Sequence, residues 1–85
     1  MRIDDYLSSV FLIKRRTVAK EWIQGGKVRL NGSRTKPAHD INPGDLIDIY
    51  YKNHRITVEV LEVPGKSIPK AQAENYYKLI EDTKV

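Results

Sequence analysis

Cysteine is absent from this 85-residue sequence. Its absence excludes disulfides, thiolate nucleophiles and cysteine-ligated zinc, and it permits a reducing compartment. Histidine occurs only as His39 and His54, too far apart in sequence to suggest a metal site. Aromatics other than tyrosine are scarce, with one tryptophan and one phenylalanine. No apolar run approaches the roughly 20 residues that a membrane span needs. The first six residues, Met1 to Tyr6, carry two acids and no long apolar core, unlike a secretory leader. The simplest expectation is a soluble, cytoplasmic protein. Internal repeats and low-complexity segments are also lacking.

What is present suits one small folded domain. Apolar residues make up 40% and charged residues 31% of the chain, enough for a single thin core. Lysine and arginine number 15 against 11 acids, and the net charge of +4 favours polyanionic partners. A generic basic surface is the plainer alternative.

Ile3, Leu7, Val10 and Phe11 form a helical stripe with Tyr6 beside it. Asp4 and Asp5 fall in the first turn, where carboxylates suit the helix dipole. Arg2 stands ahead of this helix, free to reach a ligand or pair with a nearby acid. Leu12 and Ile13 plug the core before a second helix, starting at Arg15 or Arg16 and ending at Gln24. Val18, Ala19, Trp22 and Ile23 give that helix its apolar face. Arg16 and Lys20 lie one turn apart on another face, where like charges repel. Basic residues also crowd the helix N-terminus, which the dipole disfavours. A bound phosphate relieves both costs.

Gly25-Gly26 ends the helix, one glycine being expected in the left-handed region. The pair lacks the GxxxxGK[ST] pattern of a nucleotide-binding loop. Residues 27–30 alternate as a short strand with Val28 and Leu30 inward and Lys27 and Arg29 outward. Asn31-Gly32 signals a turn, either a tight hairpin or the start of a longer connection. Residues 42–45 form a type II turn. Strands follow over 46–51 and 56–63, the second with an inner face of Ile56, Val58 and Val60 or, after a bulge, Leu61 and Val63. A linker over 64–69 leads to a helix expected over 70–82, with Ala73, Tyr76, Tyr77 and Ile80 on its apolar face.

No catalytic constellation emerges. Asp4 and Asp5 diverge by about 100° on a helix, and Ser8-Ser9 has no nucleophile-elbow context. Neither catalytic residue, cofactor nor metal is expected. The remaining feature is a basic set: Arg2, Lys14, Arg15, Arg16, Lys20, Lys27, Arg29, Arg34 and Lys36. Seven of these nine fall within residues 14–34. Arginine offers a planar fork to phosphate and lysine a point charge. With few exposed aromatics expected on this face, backbone and shape recognition of folded RNA fits better than base stacking.

Arg2-Ile-Asp4 before Tyr6-Leu7, Arg16-Thr-Val-Ala19, Trp22-Ile23, Gly26-Lys-Val-Arg-Leu-Asn-Gly32, Lys36-Pro37 and Pro43-Gly-Asp45 together resemble the S4 RNA-binding domain family over about residues 1–50. The resemblance implies an α+β, S4-type (alpha-L) fold: two N-terminal helices on a small twisted, mostly antiparallel sheet, here with a C-terminal helix. It divides the chain into an S4 domain with sheet extension at 1–64 and a linker with the terminal helix at 65–85. It also adds Asn31 to the RNA-contacting set. Over its whole length the chain is similar to the short ribosome-quality-control members of that family, notably in Leu12-Ile-Lys-Arg-Arg-Thr17 and Ala73-Glu-Asn-Tyr-Tyr77. That similarity implies binding to obstructed 50S subunits, with contacts to 23S rRNA and peptidyl-tRNA. It further implies a partnership with an RqcH-type tailing factor and a monomer off the ribosome. One departure from the wider family is Arg15, which stands where a capping Ser or Thr is usual. Two other roles stay open: a heat-shock-type subunit rescue without tailing, and a basic module that meets an acidic protein.

Overall fold

A computed structural model describes residues 1–84 and shows an α+β fold. Helix α1 spans Ile3–Ser9, and α2 spans Arg16–Gln24. Ile3, Tyr6, Leu7 and Val10 are buried as the helical stripe requires, and Ile13 plugs the core between the helices. Phe11 leaves the stripe. It adopts φ +60° and is 46% exposed. The Phe11 N–H donates to the Ser8 carbonyl at 3.2 Å and the Leu12 N–H to the Leu7 carbonyl at 3.0 Å. Those two bonds define a Schellman motif, whose left-handed position usually takes glycine.

Helix α2 ends in the same motif with the usual residue. Gly26 has φ +78°, its N–H donates to Ile23, and the Lys27 N–H donates to Trp22. Ala19 and Ile23 are buried, while Val18 and Trp22 sit at the margin of the core. Arg15 is the extended residue before α2, and no side chain caps the helix there.

Five antiparallel strands follow: β1 Val28–Leu30, β2 Ser33–Arg34, β3 Leu46–Tyr50, β4 His54–Val60 and β5 Tyr77–Lys84. They lie in the order β2-β1-β3-β4-β5. Leu30 pairs with Ser33, so Asn31-Gly32 closes a two-residue hairpin. Both turn residues have positive φ, as a type I′ turn demands. In β4, Ile56, Val58 and Val60 face the core; Leu61 lies beyond the strand and is exposed. Of the alternative pair, Leu61 is therefore not used, whereas Val63, beyond the strand, is half-buried against the core. Val28, Ile47, Ile49, Val58 and Val60 are fully buried against α1 and α2, each adding on the order of 2 kcal/mol through removal from water.

The helix expected over 70–82 does not form. A short 3-10 helix covers Lys70–Asn75, and β5 then pairs with β4 from Val60↔Tyr77 to His54↔Lys84. The same residues carry both periods, since Tyr77, Leu79 and Glu81 alternate while Ala73, Tyr76 and Ile80 repeat helically. The unpaired N–H and C=O groups along β4 decide between them, because only a strand satisfies that edge. A register shift opposite Thr57/Val58 leaves Ile80 as a bulge. Leu79 and Ile80 remain about half exposed.

Two ties close the fold. The Tyr6 hydroxyl, at the centre of α1, donates to the Tyr76 carbonyl at 2.7 Å. The N-terminal residues are stitched to segment 37–41: Ile3 N–H to His39 O at 2.8 Å, Ile41 N–H to Met1 O at 3.0 Å, and a bridge between Arg2 and Asp40.

Candidate nucleic-acid interface

That stitching brings Arg2 beside segment 35–38, which faces α2 across an open hollow. Arg2, Lys20 and Lys36 line one open hollow of about 510 Å³ together with Gln24 and Thr35. An adjoining hollow of about 600 Å³ shares Thr35 and Lys36 and is bordered by Arg34, Asn31 and His39. Residues distant in sequence thus form one basic surface around α2.

Its organiser is an acid. Asp4 is completely buried, and its carboxylate accepts from Arg2 Nε at 3.0 Å and from the second Arg2 nitrogen at 2.8 Å. Arg16 Nε lies 3.5 Å from the same carboxylate and 3.0 Å from that of Asp5. Both arginines stay partly open to solvent, with side chains 36% and 53% exposed. The buried carboxylate takes the Nε and one terminal nitrogen of Arg2 and the Nε side of Arg16, so it fixes both side chains while part of each stays exposed, and an arginine has five N–H donors with which to meet a phosphate. Asp5 and Asp4 also place negative charge near the uncapped start of α2, which offsets its crowded cations. In sequence these acids suit the α1 dipole, and pairing with a nearby acid is one of the two options for Arg2; the structure takes it with Asp4. The Arg2–Asp4 spacing was visible, but the Arg16 contact comes from helix packing.

The remaining candidates separate by position. Lys14 and Arg15 are exposed beside the start of α2, and Lys20 lies one turn further along it. Arg34 donates to the Gln24 carbonyl at 2.8 Å and lies against Gly26, so it caps the C-terminal end of α2. Arg29 faces away from the helices, paired with Arg34 on one side and Asp48 on the other, and its Nε is buried without a hydrogen-bond partner. Asn31 is held by the fold: its side-chain oxygen accepts from Leu46 N–H at 2.9 Å and its amide donates to Asp45 at 3.2 Å. Lys27 turns to Trp22, its Nζ 5.5 Å from the ring centroid. The structure therefore brings Arg2, Arg16, Lys20, Arg34 and Lys36 around one face and leaves Lys27 at another. Thr35 and His39 join the hollows with no signal in sequence that marks them.

Among the described residues no group of three or more His, Cys, Asp or Glu could hold a metal ion, and no helix is long and apolar enough to cross a membrane.

Comparison with known proteins agrees with this architecture. The S4 domain family matches residues 1–47. The chain is 39% identical to the RQC P-site tRNA stabilizing factor of Streptococcus pneumoniae, covering 100% of this chain and 96% of that one. It is 35% identical to the protein of the same name in Bacillus subtilis, covering 100% and 98%. The trimeric Heat Shock Protein 15 of Vibrio cholerae superposes with a TM-score of 0.86 at 25% identity, over 93% of this chain and 80% of that one. The chain belongs to the S4 domain family, within the group of RQC P-site tRNA stabilizing factors.

Proposed function

We propose that this protein binds RNA on the large ribosomal subunit in the cytoplasm. In this reading it contacts 23S rRNA and peptidyl-tRNA on obstructed 50S subunits and holds the tRNA while an RqcH-type partner extends the stalled chain. It acts by binding and catalyses no reaction itself. The observation that carries the reading is the buried Asp4 carboxylate, which fixes Arg2 and Arg16 on a face that also presents Lys20 and Lys36. The names of the full-length relatives supply the ribosomal setting.

The test compares Arg16→Ala with Lys66→Ala in binding to purified 50S subunits carrying peptidyl-tRNA. Loss of one charge-assisted phosphate contact predicts about a tenfold weaker association for Arg16→Ala. Lys66 lies outside the face, and its variant is expected to bind normally. Affinity is expected to fall steeply with salt through counterion release, with the slope reduced by about one for Arg16→Ala. Equal losses from both variants, or salt-independent binding, would sink the localised site.

The likeness to Heat Shock Protein 15 favours a second reading, subunit rescue without tailing. Co-purification with the tailing factor from cells with stalled ribosomes separates the two.

A further inference from the structure

The face with Lys27 carries a feature that phosphate recognition does not use. Trp22 on α2 meets Tyr51 edge-on, with ring centroids 5.6 Å apart and planes at 75°. Tyr51 in turn lies 5.3 Å from the His54 ring, tilted by 31°. The three rings border an open groove of about 750 Å³ between the end of α2 and the β3–β4 turn. Lys27, Tyr50, Lys52 and Asn53 complete its rim, and among the described residues no carboxylate lines it.

We propose that this groove is a second RNA site, which takes an unstacked nucleobase from a single-stranded stretch. The chemistry of the groove selects that ligand. Aromatic rings at its border offer stacking surface, which any base can use. Lys27 and Lys52 supply positive charge for the adjoining phosphates, and Asn53 offers both a donor and an acceptor to a base edge. A duplex cannot exploit the rings, because its bases are already stacked inside it. An acidic peptide would satisfy the lysines but leave the rings unused. Tyr51 is fixed in place, since its hydroxyl donates to the Leu12 carbonyl at 2.6 Å. Trp22 and Tyr51 pack against the core on one side and remain only partly buried, which gives the platform a rigid base. The sequence reading expected too few aromatics on the basic face for stacking. The rings are instead collected on the neighbouring face, from α2, the residue just past β3 and the start of β4.

Trp22 is the sole tryptophan, so its fluorescence reports directly on the groove. The full-length protein is titrated with a short single-stranded oligoadenylate, an abasic strand of equal length, an RNA hairpin duplex and oligoglutamate. The oligoadenylate is expected to quench Trp22 emission, whereas the abasic strand and oligoglutamate leave it largely unchanged. His54→Ala removes a ring without changing the formal net charge of +4 counted with neutral histidine. It should weaken oligoadenylate binding about fivefold or more, while His54→Phe restores it. Hairpin binding on the Arg16 face, measured by anisotropy of a labelled hairpin, is expected to match the unsubstituted protein in both variants and confirms that they are folded. Equal quenching by the abasic strand or by oligoglutamate overturns the proposal, as does an unchanged oligoadenylate affinity in His54→Ala. The proposal does not depend on the ribosomal reading: failure to bind 50S subunits would leave the oligoadenylate result intact, and the converse also holds.

Discussion

At the scale of single residues, Asp4 and Tyr6 carry more of the fold than their neighbours. Asp4 is fully buried and accepts from Arg2 and from the Asp5 N–H at 2.8 Å. Asp4→Asn removes the charge from these bonds and is expected to lower stability by about 2 kcal/mol. The urea midpoint should fall at constant m-value. Affinity for the large subunit should fall too, although no cation is lost, because Arg2 and Arg16 lose their anchor. Tyr6 predicts a different signature. Burial, and secondarily the charge of Tyr77, push its phenol well above the ordinary value of 10.0. The folded state then holds the proton more tightly than the unfolded chain. That stabilisation is complete below pH 10.0 and is lost as pH rises above it. Tyr6→Phe is expected to lower stability by about 1 kcal/mol at neutral pH and to flatten the decline in stability above pH 10.0, read by urea titration at a series of pH values. The neutral-pH loss stays small because the Tyr76 carbonyl keeps its bonds from Leu61 and Glu62 N–H.

At the scale of elements, the two helices end alike with different residues. Gly26 suits its φ of +78°, and an added Cβ would lie 3.3 Å from the Arg34 guanidinium carbon. Phe11 holds a similar φ of +60° with a side chain that is 46% exposed. Phe11→Gly should therefore leave the thermal midpoint unchanged or raise it, since relief of left-handed strain, about 1 kcal/mol, offsets the added backbone freedom. Phe11→Val should lower it, because a β-branched residue tolerates positive φ poorly. A midpoint that drops as far for glycine as for valine would show that the phenyl ring matters more than the backbone. These two ends also show what the sequence could disclose. Gly25-Gly26 stops α2 by a local rule, so that end was legible; Asn31-Gly32 marks a turn by the same kind of rule, but whether it closes a hairpin or opens a longer connection was settled only by the Leu30–Ser33 pairing. Phe11 obeys no such rule, and its departure from the stripe is set by where α2 must start. The last element was misread for the same kind of reason. Ala73, Tyr76, Tyr77 and Ile80 satisfy a helical period, while the choice of strand is made by β4, many residues away. In the basic set, residue types and the α2 placement were legible. The Asp4 contact to Arg16 and the diversion of Lys27 to Trp22 required packing to reveal.

At the scale of the whole molecule, the core runs past the region that the family shares. The S4 match ends at residue 47, yet Ile49, Ile56, Val58 and Val60 are buried in the same cluster as α1. β5 covers the outer edge of β4, and Tyr76 accepts the Tyr6 bond. Deletion of residues 76–85 is therefore expected to abolish cooperative thermal unfolding, not merely to trim an end. A truncated chain that melts cooperatively within a few degrees of the full one would refute this coupling. The Tyr6–Tyr76 bond spans 70 residues and carries a further consequence during synthesis. α1 and α2 leave the ribosome on the order of seconds before the residues that complete their fold. During that interval Arg2 and Arg16 belong to an unfinished scaffold. A newborn copy therefore has α1 and α2 in hand for some seconds before the Tyr76 carbonyl exists to receive the Tyr6 hydroxyl, so the last step of its folding waits for the last tenth of its synthesis.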